Sequence, residues 1–369
     1  MYKFIIALSA VWYTGLACSM ARADVSGEIA RIEKLPRTKR LAEYESLASR
    51  TMLAETDRAA VVKAFAKHAA KVSPVFGKSS HRIDPKRWQL MLEYAHARDP
   101  QHRDVLFALC HLLIDQKKYA DARPFAEAFL RAHAGDHFAR AWAEYCRLKA
   151  SSAAAESADV LTFPLHFCVL TRNPRAHERA TLAQCQAEVG IFNRSFVTLE
   201  GKPLVKFVFQ GYSSYADVKG SPCEFLDLVD STTPYSNGAV TKAFNACQVA
   251  KIRNRGAINV YIYDSHSAKA GFGDQTSHGI RNSNRPLVLI DWQRLGGKLQ
   301  NAEAHEMGHA FGLGHVGVPG AKGQTSTNIM ASSGEGYGSG GQRNLGFSES
   351  QASVILYHAR RTHSRLGLK

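Results

Sequence analysis

The sequence lacks several features that would mark a membrane, redox or nucleic-acid-binding protein. The apolar run Phe4–Cys18 is shorter than the ~20 residues that a helix needs to span a bilayer. No CxxC pair occurs among the seven cysteines, which argues against a cysteine zinc site or a thioredoxin-like centre. There is no zinc knuckle, no RNP-like aromatic set and no Lys/Arg run beyond Arg31–Arg40, so nucleic-acid binding is not expected.

What the sequence does contain is an ordinary globular composition with a basic excess. It is 45% hydrophobic and 21% charged, which excludes disordered, collagen-like and polytopic membrane proteins. Its 369 residues suffice for two domains. Lys and Arg total 47 against 32 Asp and Glu, giving a net charge of +15. That charge favours contact with anionic surfaces but identifies no partner.

The first 23 residues are typical of a signal peptide. A positive start at Met1–Lys3 precedes the apolar run, and Ala21-Arg22-Ala23 places small residues where a signal peptidase reads. We therefore expect cleavage after Ala23, a periplasmic or secreted protein, and no stable membrane span afterwards. The alternatives are an uncleaved membrane anchor and a lipoprotein attached through Cys18.

Export changes the interpretation of the cysteines. Cys18 leaves with the signal peptide, and an even number remains, which in an oxidising compartment suggests disulfides. Pairing within domains predicts Cys110–Cys146, Cys168–Cys185 and Cys223–Cys247. Buried thiols are the alternative.

Residues 24–155 form a predicted all-α domain of helical hairpins. Apolar residues recur at spacings of three and four, and glycine is scarce. Residues 103–136 resemble one tetratricopeptide repeat, with Tyr119 at the turn between the helices. Such a domain can dock a partner, act as a prodomain or serve as a packing module. The predicted helices are Arg40–Arg50, Ala54–Val72, Pro85–Ala97, Arg103–Gln116, Ala120–His133 and Phe138–Ala150.

The small, polar stretch Ser151–Ser157 is a predicted linker. The second predicted domain, residues 156–369, combines strands with helices. The whole chain is therefore expected to be α+β. Ser348-Glu349-Ser350-Gln351 forms a capping sequence at the start of the last helix. The predicted strands are Val160–Leu170, Leu204–Gln210, Ile258–Tyr263 and Pro286–Asp291, and the predicted helices are Ala176–Phe192, Asn301–Gly312 and Ser348–Arg361.

The segment His-Glu-Met-Gly-His-Ala-Phe-Gly-Leu-Gly-His contains a predicted metal site. His305 and His309 lie four residues apart on a helix, so both imidazoles project from one face. Gly312 lets the chain leave the helix, and His315 then returns as a third ligand. Three imidazoles leave one zinc position open, as in catalytic zinc sites. Glu306 lies beside the first ligand, within reach of a water molecule at that position.

These residues resemble the extended zinc motif of the metzincin metalloproteases, and Asn328-Ile329-Met330 resembles their methionine turn. Within that clan, the chain is most similar to matrixin-like or pappalysin-like bacterial members. The resemblance covers about residues 160–369. It implies a metzincin-type catalytic domain with a twisted mixed sheet, an active-site helix and a C-terminal helix. It also implies that Met330 forms an apolar floor beneath the zinc histidines and that Gly271-Phe272-Gly273 lies near the substrate-binding edge strand.

The predicted function is zinc-dependent hydrolysis of peptide bonds by an exported endopeptidase. One zinc ion bound by three histidines activates a water molecule, and Glu306 acts as general base. The expected partners are a protein or peptide substrate and, through the helical domain, a further protein. Two alternatives stay open: a non-catalytic binding or adaptor protein on a metzincin scaffold, and a zinc hydrolase acting on peptidoglycan cross-links.

Overall fold

The computed structural model describes residues 24–48, 54–69, 85–150, 160–214, 242, 244–264, 278–280, 287–296, 301–315, 328–330 and 346–369. Several sequence predictions fall outside these residues. They concern the signal peptide 1–23, the linker 151–157, Cys223 and the segment 271–273.

Seven helices occupy the described part of residues 24–150. The first was not predicted from the sequence. It begins after Asp24, whose side chain accepts a hydrogen bond from Gly27 N–H at 2.9 Å, as N-cap residues do. The helices are α1 (Val25–Lys34), α2 (Arg37–Ala48), α3 (Glu55–Ala69), α4 (Pro85–Arg98), α5 (Arg103–Asp115), α6 (Tyr119–Ala132) and α7 (His137–Ala150).

Helix α5 connects two hydrophobic clusters because it is apolar on two faces. One face, which includes Leu109 and Leu112, packs against helices α1–α4. The other face, which includes Leu106 and Leu113, packs against α6, α7 and the second half of the chain. A helix that is apolar nearly all round is buried, and Val105–Ile114 of α5 is buried almost throughout.

The described part of the second half contains a five-stranded sheet in the order β2-β1-β3-β5-β4. Four neighbouring strands are parallel, and β4 at the edge runs antiparallel to β5. The sequence predicted four strands and missed β4. The strands are β1 (Thr162–Val169), β2 (Lys206–Ser213), β3 (Ile258–Tyr263), β4 (His278–Ile280) and β5 (Leu287–Asp291). The chain is thus a mixed helix and sheet structure, as expected for an α+β protein.

Helices cover the sheet. The predicted helix Ala176–Phe192 is in fact two helices, because Thr181 caps a new helix by accepting a hydrogen bond from Gln184 N–H. In the described residues of this half, the named helices are α8 (Pro174–Arg179), α9 (Leu182–Ser195), a short 3-10 helix (Trp292–Arg294), α10 (Ala302–Ala310) and α11 (Glu349–Leu366).

Both faces of the sheet are buried. Alternate residues of β3 point to opposite faces, so Val260 and Ile262 join the large cluster with helices α5–α7, while Tyr261 and Tyr263 join a smaller cluster with Phe244. Burial on both faces is typical of parallel strands. The large cluster also includes residues of α9, α10 and α11, so helices α5–α7 and the sheet share one hydrophobic core. Within the described residues, no helix combines the length and apolarity needed to cross a membrane.

Two of the three predicted disulfides are not formed. Cys110, Cys146, Cys168 and Cys185 are buried thiols outside any disulfide. Burial raises the pKa of the thiols of Cys146 and Cys185 to about 12, because the surrounding apolar side chains disfavour a thiolate. These cysteines therefore act as small apolar core residues. Cys247 is disulfide-bonded, and its predicted partner, Cys223, lies outside the described residues.

Candidate metal centre

Helix α10 carries the predicted metal ligands and is held firmly at its start. Asn301 precedes it in the left-handed conformation, with φ of 48°. The side-chain amide of Asn301 donates a hydrogen bond to Ser195 Oγ at 2.7 Å, which ties the helix to the end of α9. Ala304 and Met307 are fully buried in the large cluster. The helix is therefore fixed along its buried side.

The helix ends in a Schellman motif centred on Gly312. Gly312 N–H donates to His309 O at 2.9 Å, and Leu313 N–H donates to Gly308 O at 3.0 Å. Gly312 has φ of +92°, a conformation that side chains other than glycine's rarely adopt. This turn reverses the chain within three residues of His309 and brings His315 back towards the helix.

The three predicted ligands meet at their Nε2 atoms. His309 Nε2 lies 3.1 Å from His305 Nε2 and 3.0 Å from His315 Nε2. All three ligand atoms lie within 4.8 Å of one another. His305 and His309 are half-buried, whereas His315 is exposed, so the cluster is open to solvent on the His315 side.

Backbone carbonyl groups fix the orientation of both helical histidines. His305 Nδ1 bonds Ile329 O at 2.6 Å, and His309 Nδ1 bonds Leu313 O at 2.8 Å. Because a carbonyl oxygen can only accept, each Nδ1 must carry the hydrogen. In each ring, Nε2 therefore carries the free lone pair and points towards the other histidine nitrogens, as in metal-binding histidines.

These distances fit a bound metal ion. Two nitrogens at 2.0–2.1 Å from a tetrahedral zinc would be about 3.3 Å apart. The observed Nε2 separations of 3.0 and 3.1 Å are close to that value. The cluster can therefore hold a metal ion through three neutral imidazoles.

The other predicted site residues lie next to the histidines. Glu306 follows His305 on α10 and is 6% exposed. Met330 is fully buried, and a Cβ built on Gly308 would lie only 2.5 Å from its sulfur. The absence of a side chain at Gly308 thus lets Met330 pack directly against the helix between the two histidines.

The methionine turn is held by Asn328. Its Oδ1 accepts a hydrogen bond from Met330 N–H at 2.8 Å and another from the side-chain amide of Gln351 at 3.2 Å. Gln351 also completes the capping box at the start of α11 with Ser348. The carbonyl that orients His305 therefore belongs to a turn that is bonded to α11.

A buried pair of carboxyl groups joins α9 to the first turn of α10. Glu188 and Glu303 are both fully buried, and their carboxyl groups interact. Burial raises the pKa of Glu188, and the hydrogen bonds from Gln184 and Gly296 N–H oppose that effect. The pair lies on the buried side of the helix that carries the histidines.

Sequence reasoning found the histidines, Glu306, Gly312 and Met330, and the structure places them all in one site. It missed the groups that support them. The sequence signal for Gln351 was present as the capping sequence, but nothing in the sequence connected it with Asn328. Nothing in the sequence connected His137 of α7 with the metal site either, although its Nε2 forms a hydrogen bond with Gly312 O at 2.9 Å.

Comparisons with known proteins do not assign a family. No protein-family profile and no curated protein matches the chain. Among solved structures, the chain is similar to a mutant O-GlcNAc transferase from Thermobaculum terrenum, with 11% identity and a TM-score of 0.25. The match covers 65% of this chain and 46% of that one, so the chain spans less than half of that structure. A likeness at this TM-score carries no argument about fold or function.

Proposed function

We propose that the chain is an exported, zinc-dependent endopeptidase. The observation that carries this proposal is the convergence of His305, His309 and His315 at their Nε2 atoms, with two of the rings oriented by backbone carbonyls. Three histidines leave a zinc ion with one position for solvent or substrate, which separates catalytic from structural zinc sites. The exposure of His315 supports access to that position.

The ligand set favours zinc among the available ions. Imidazole nitrogen suits zinc, copper, iron and nickel, whereas calcium and magnesium prefer oxygen ligands. The described cluster contains imidazoles and no thiolate, so it is not a cysteine-based structural site. A bound zinc ion would lower the pKa of water and polarise the carbonyl group of a substrate.

Glu306 is the proposed general base. It follows His305 on the helix that carries two of the ligands, and it is mostly withdrawn from solvent. It would accept the proton of the attacking water and deliver it to the leaving amine nitrogen. His305 and His309 cannot take this role while their Nδ1 atoms donate to carbonyls and their Nε2 atoms hold the ion.

The sheet edge supports a peptide as substrate. Among the described strands, β4 is at the edge of the sheet and pairs with β5 alone. An extended peptide can add to such an edge through main-chain hydrogen bonds, which recognise the backbone rather than one side chain. This arrangement favours an endopeptidase acting on unfolded segments.

The test compares wild type with Glu306→Gln. Purified wild type should bind one equivalent of zinc and release new amino termini from an unfolded protein such as casein. Glu306→Gln should retain the zinc and lose at least about 100-fold in rate, because general-base catalysis contributes about 10²- to 10⁴-fold. The exposed Glu178→Gln on α8 is the matched control and should retain both properties.

Cleavage by Glu306→Gln at the wild-type rate would refute the assigned base. The two alternative functions, peptidoglycan hydrolysis and protein binding, predict different results. Zinc binding with release of amines from purified murein, but not from casein, would favour action on peptidoglycan. Tight protein binding without cleavage of any substrate would favour an adaptor.

A further inference from the structure

Helices α5–α7 form hydrogen bonds with the first turn of α11. The hydroxyl groups of Tyr119 and Tyr145 both donate to Glu349 Oε1, the former at 2.7 Å. Ser350 N–H donates to Asp115 Oδ1 at 2.7 Å, and Trp142 Nε1 donates to Ser350 O at 3.2 Å. Two consecutive residues of α11 are thus bonded by all three helices.

Both tyrosines keep their protons. Burial raises the pKa of each hydroxyl well above its usual value, and the hydrogen bond to Glu349 raises it further. Hydrogen bonds to an ionised carboxylate are about twice as strong as neutral ones. The contact between Glu349 and the two tyrosines is therefore a strong attachment within the protein. We call Tyr119, Tyr145 and Glu349 the tyrosine clamp.

The turn of α11 held by the clamp is also bonded to the methionine turn. Gln351, two residues after Glu349, donates to Asn328 Oδ1 at 3.2 Å. Ile329 O in that turn accepts from His305 Nδ1 at 2.6 Å. The clamp is therefore connected to the ligand His305 through the first turn of α11 and then through the methionine turn, residues 328–330.

A second contact reaches the other end of α10. His137 at the start of α7 bonds Gly312 O at 2.9 Å, within the turn that joins His309 to His315. The neighbouring Phe138 approaches Gly314 in the same turn. Helices α5–α7 therefore support the metal site on two sides.

We propose that the tyrosine clamp positions the metal centre, so that helices α5–α7 are part of the support of the site rather than a removable segment. Glu349, Tyr119 and Tyr145 are positioning residues. They touch neither the metal ligands nor the substrate position, and they act through Gln351 and the methionine turn. This inference rests on the metal binding of the proposed function, but not on its peptidase activity.

The test measures metal affinity in folded, full-length variants. The double variant Tyr119→Phe/Tyr145→Phe retains both rings and removes only the hydroxyl groups. Zinc affinity, measured by competition with a chelator, should fall by about 3- to 10-fold, which is less than the 10- to 100-fold typical when a direct hydrogen-bond partner of a ligand is lost. The visible absorption of bound Co²⁺, which depends on coordination geometry, should also change.

Variants of Glu349 separate positioning from stability. Glu349→Ala should weaken zinc binding as the double variant does. Glu349→Gln retains an oxygen that can accept from both tyrosines, so it should restore affinity to near the wild-type value. Tyr212→Phe is the control. Tyr212 is on strand β2, at the sheet edge opposite β4, and the variant removes its hydrogen bond to Ala180 O at the end of α8.

Each outcome decides the inference. Weaker zinc binding in the double variant and Glu349→Ala, with rescue by Glu349→Gln, would support it even if no peptide is cleaved. Unchanged zinc affinity and an unchanged Co²⁺ spectrum in folded clamp variants would overturn it and leave the proposed function intact. A wild-type protein that binds no metal would overturn both.

Discussion

Gly312 shows how one residue decides the geometry of the metal centre. It holds φ of +92° in the turn between His309 and His315, and a Cβ at this position would overlap the ring of His358 on α11. Two separate requirements, a left-handed backbone and a close approach of another helix, thus exclude any side chain. The position of His315 depends on both.

The variant Gly312→Ala should therefore destabilise the protein by about 1–3 kcal/mol, the cost of holding a non-glycine residue in a sparsely populated conformation. Zinc binding should weaken as well, because the new Cβ displaces the turn. Chemical denaturation and chelator competition would measure the two effects.

Gly135→Ala is the matched control, since a Cβ there meets nothing within 4 Å. It should leave zinc affinity unchanged and alter stability by less than about 1 kcal/mol. Equal stability of the two alanine variants would contradict the role assigned to Gly312.

At the scale of elements, buried carboxyl groups connect α9 and α10. Glu188 accepts hydrogen bonds from Gln184 Nε2 at 2.5 Å and from Gly296 N–H at 2.7 Å, and its carboxyl group interacts with that of Glu303. Burial raises its pKa, so the folded protein binds this proton more tightly than the unfolded chain does.

This linkage predicts a pH dependence of stability. The contribution of Glu188 is present in full below the ordinary pKa of a carboxyl group and is lost as the pH rises through the raised value in the folded state. The variant Glu188→Gln should flatten that decline in the free energy of unfolding. Denaturation curves at a series of pH values would measure it.

The exposed Glu127→Gln on α6 serves as the comparison. Its hydrogen bond from Arg123 lowers the pKa of Glu127, so removing this carboxylate should not flatten a decline towards high pH. A wild-type decline that persists in Glu188→Gln would contradict the assignment.

The elements themselves were predicted to different degrees. Helices α4–α7 were found because burial of one helix face gives apolar residues at spacings of three and four. Strand β3 was found because a strand buried on both faces is a short, continuous run of mostly apolar residues. Strand β4 was missed because it is only three residues long. The break at Thr181 was missed because a cap in the middle of an apolar pattern leaves its period almost unchanged.

At the scale of the whole molecule, one core joins parts of the chain that the sequence separates. The large cluster includes Trp142 of α7, Phe167 of β1 and Ile355 of α11. Movement of any of these elements would disturb the packing around α10. The positions of the three histidines therefore depend on the packing of all these elements.

Metal removal should accordingly lower the stability of the entire protein. A ligand that binds only the folded state stabilises it by about 2.7 kcal/mol at 100 times its Kd. Adding EDTA should lower the Tm in calorimetry, and excess zinc should restore it. The Tm of the variant His309→Ala should change with neither EDTA nor zinc. If EDTA lowered the Tm of this variant as much as that of the wild type, the metal site would not be at these histidines.

The sequence by itself predicted which three histidines meet in a possible metal site, and that the fold combines helices with a sheet. His305, Glu306, His309 and His315 are close in the chain, so helical spacing and one glycine turn suffice to bring them together. The tertiary structure alone decided what supports them. Asn328, Gln351, Tyr145 and His137 come from distant segments, and short-range periodicity carries no information about which distant polar groups meet. It also decided that most cysteines are buried thiols, since pairing depends on distances in the folded chain rather than on their number.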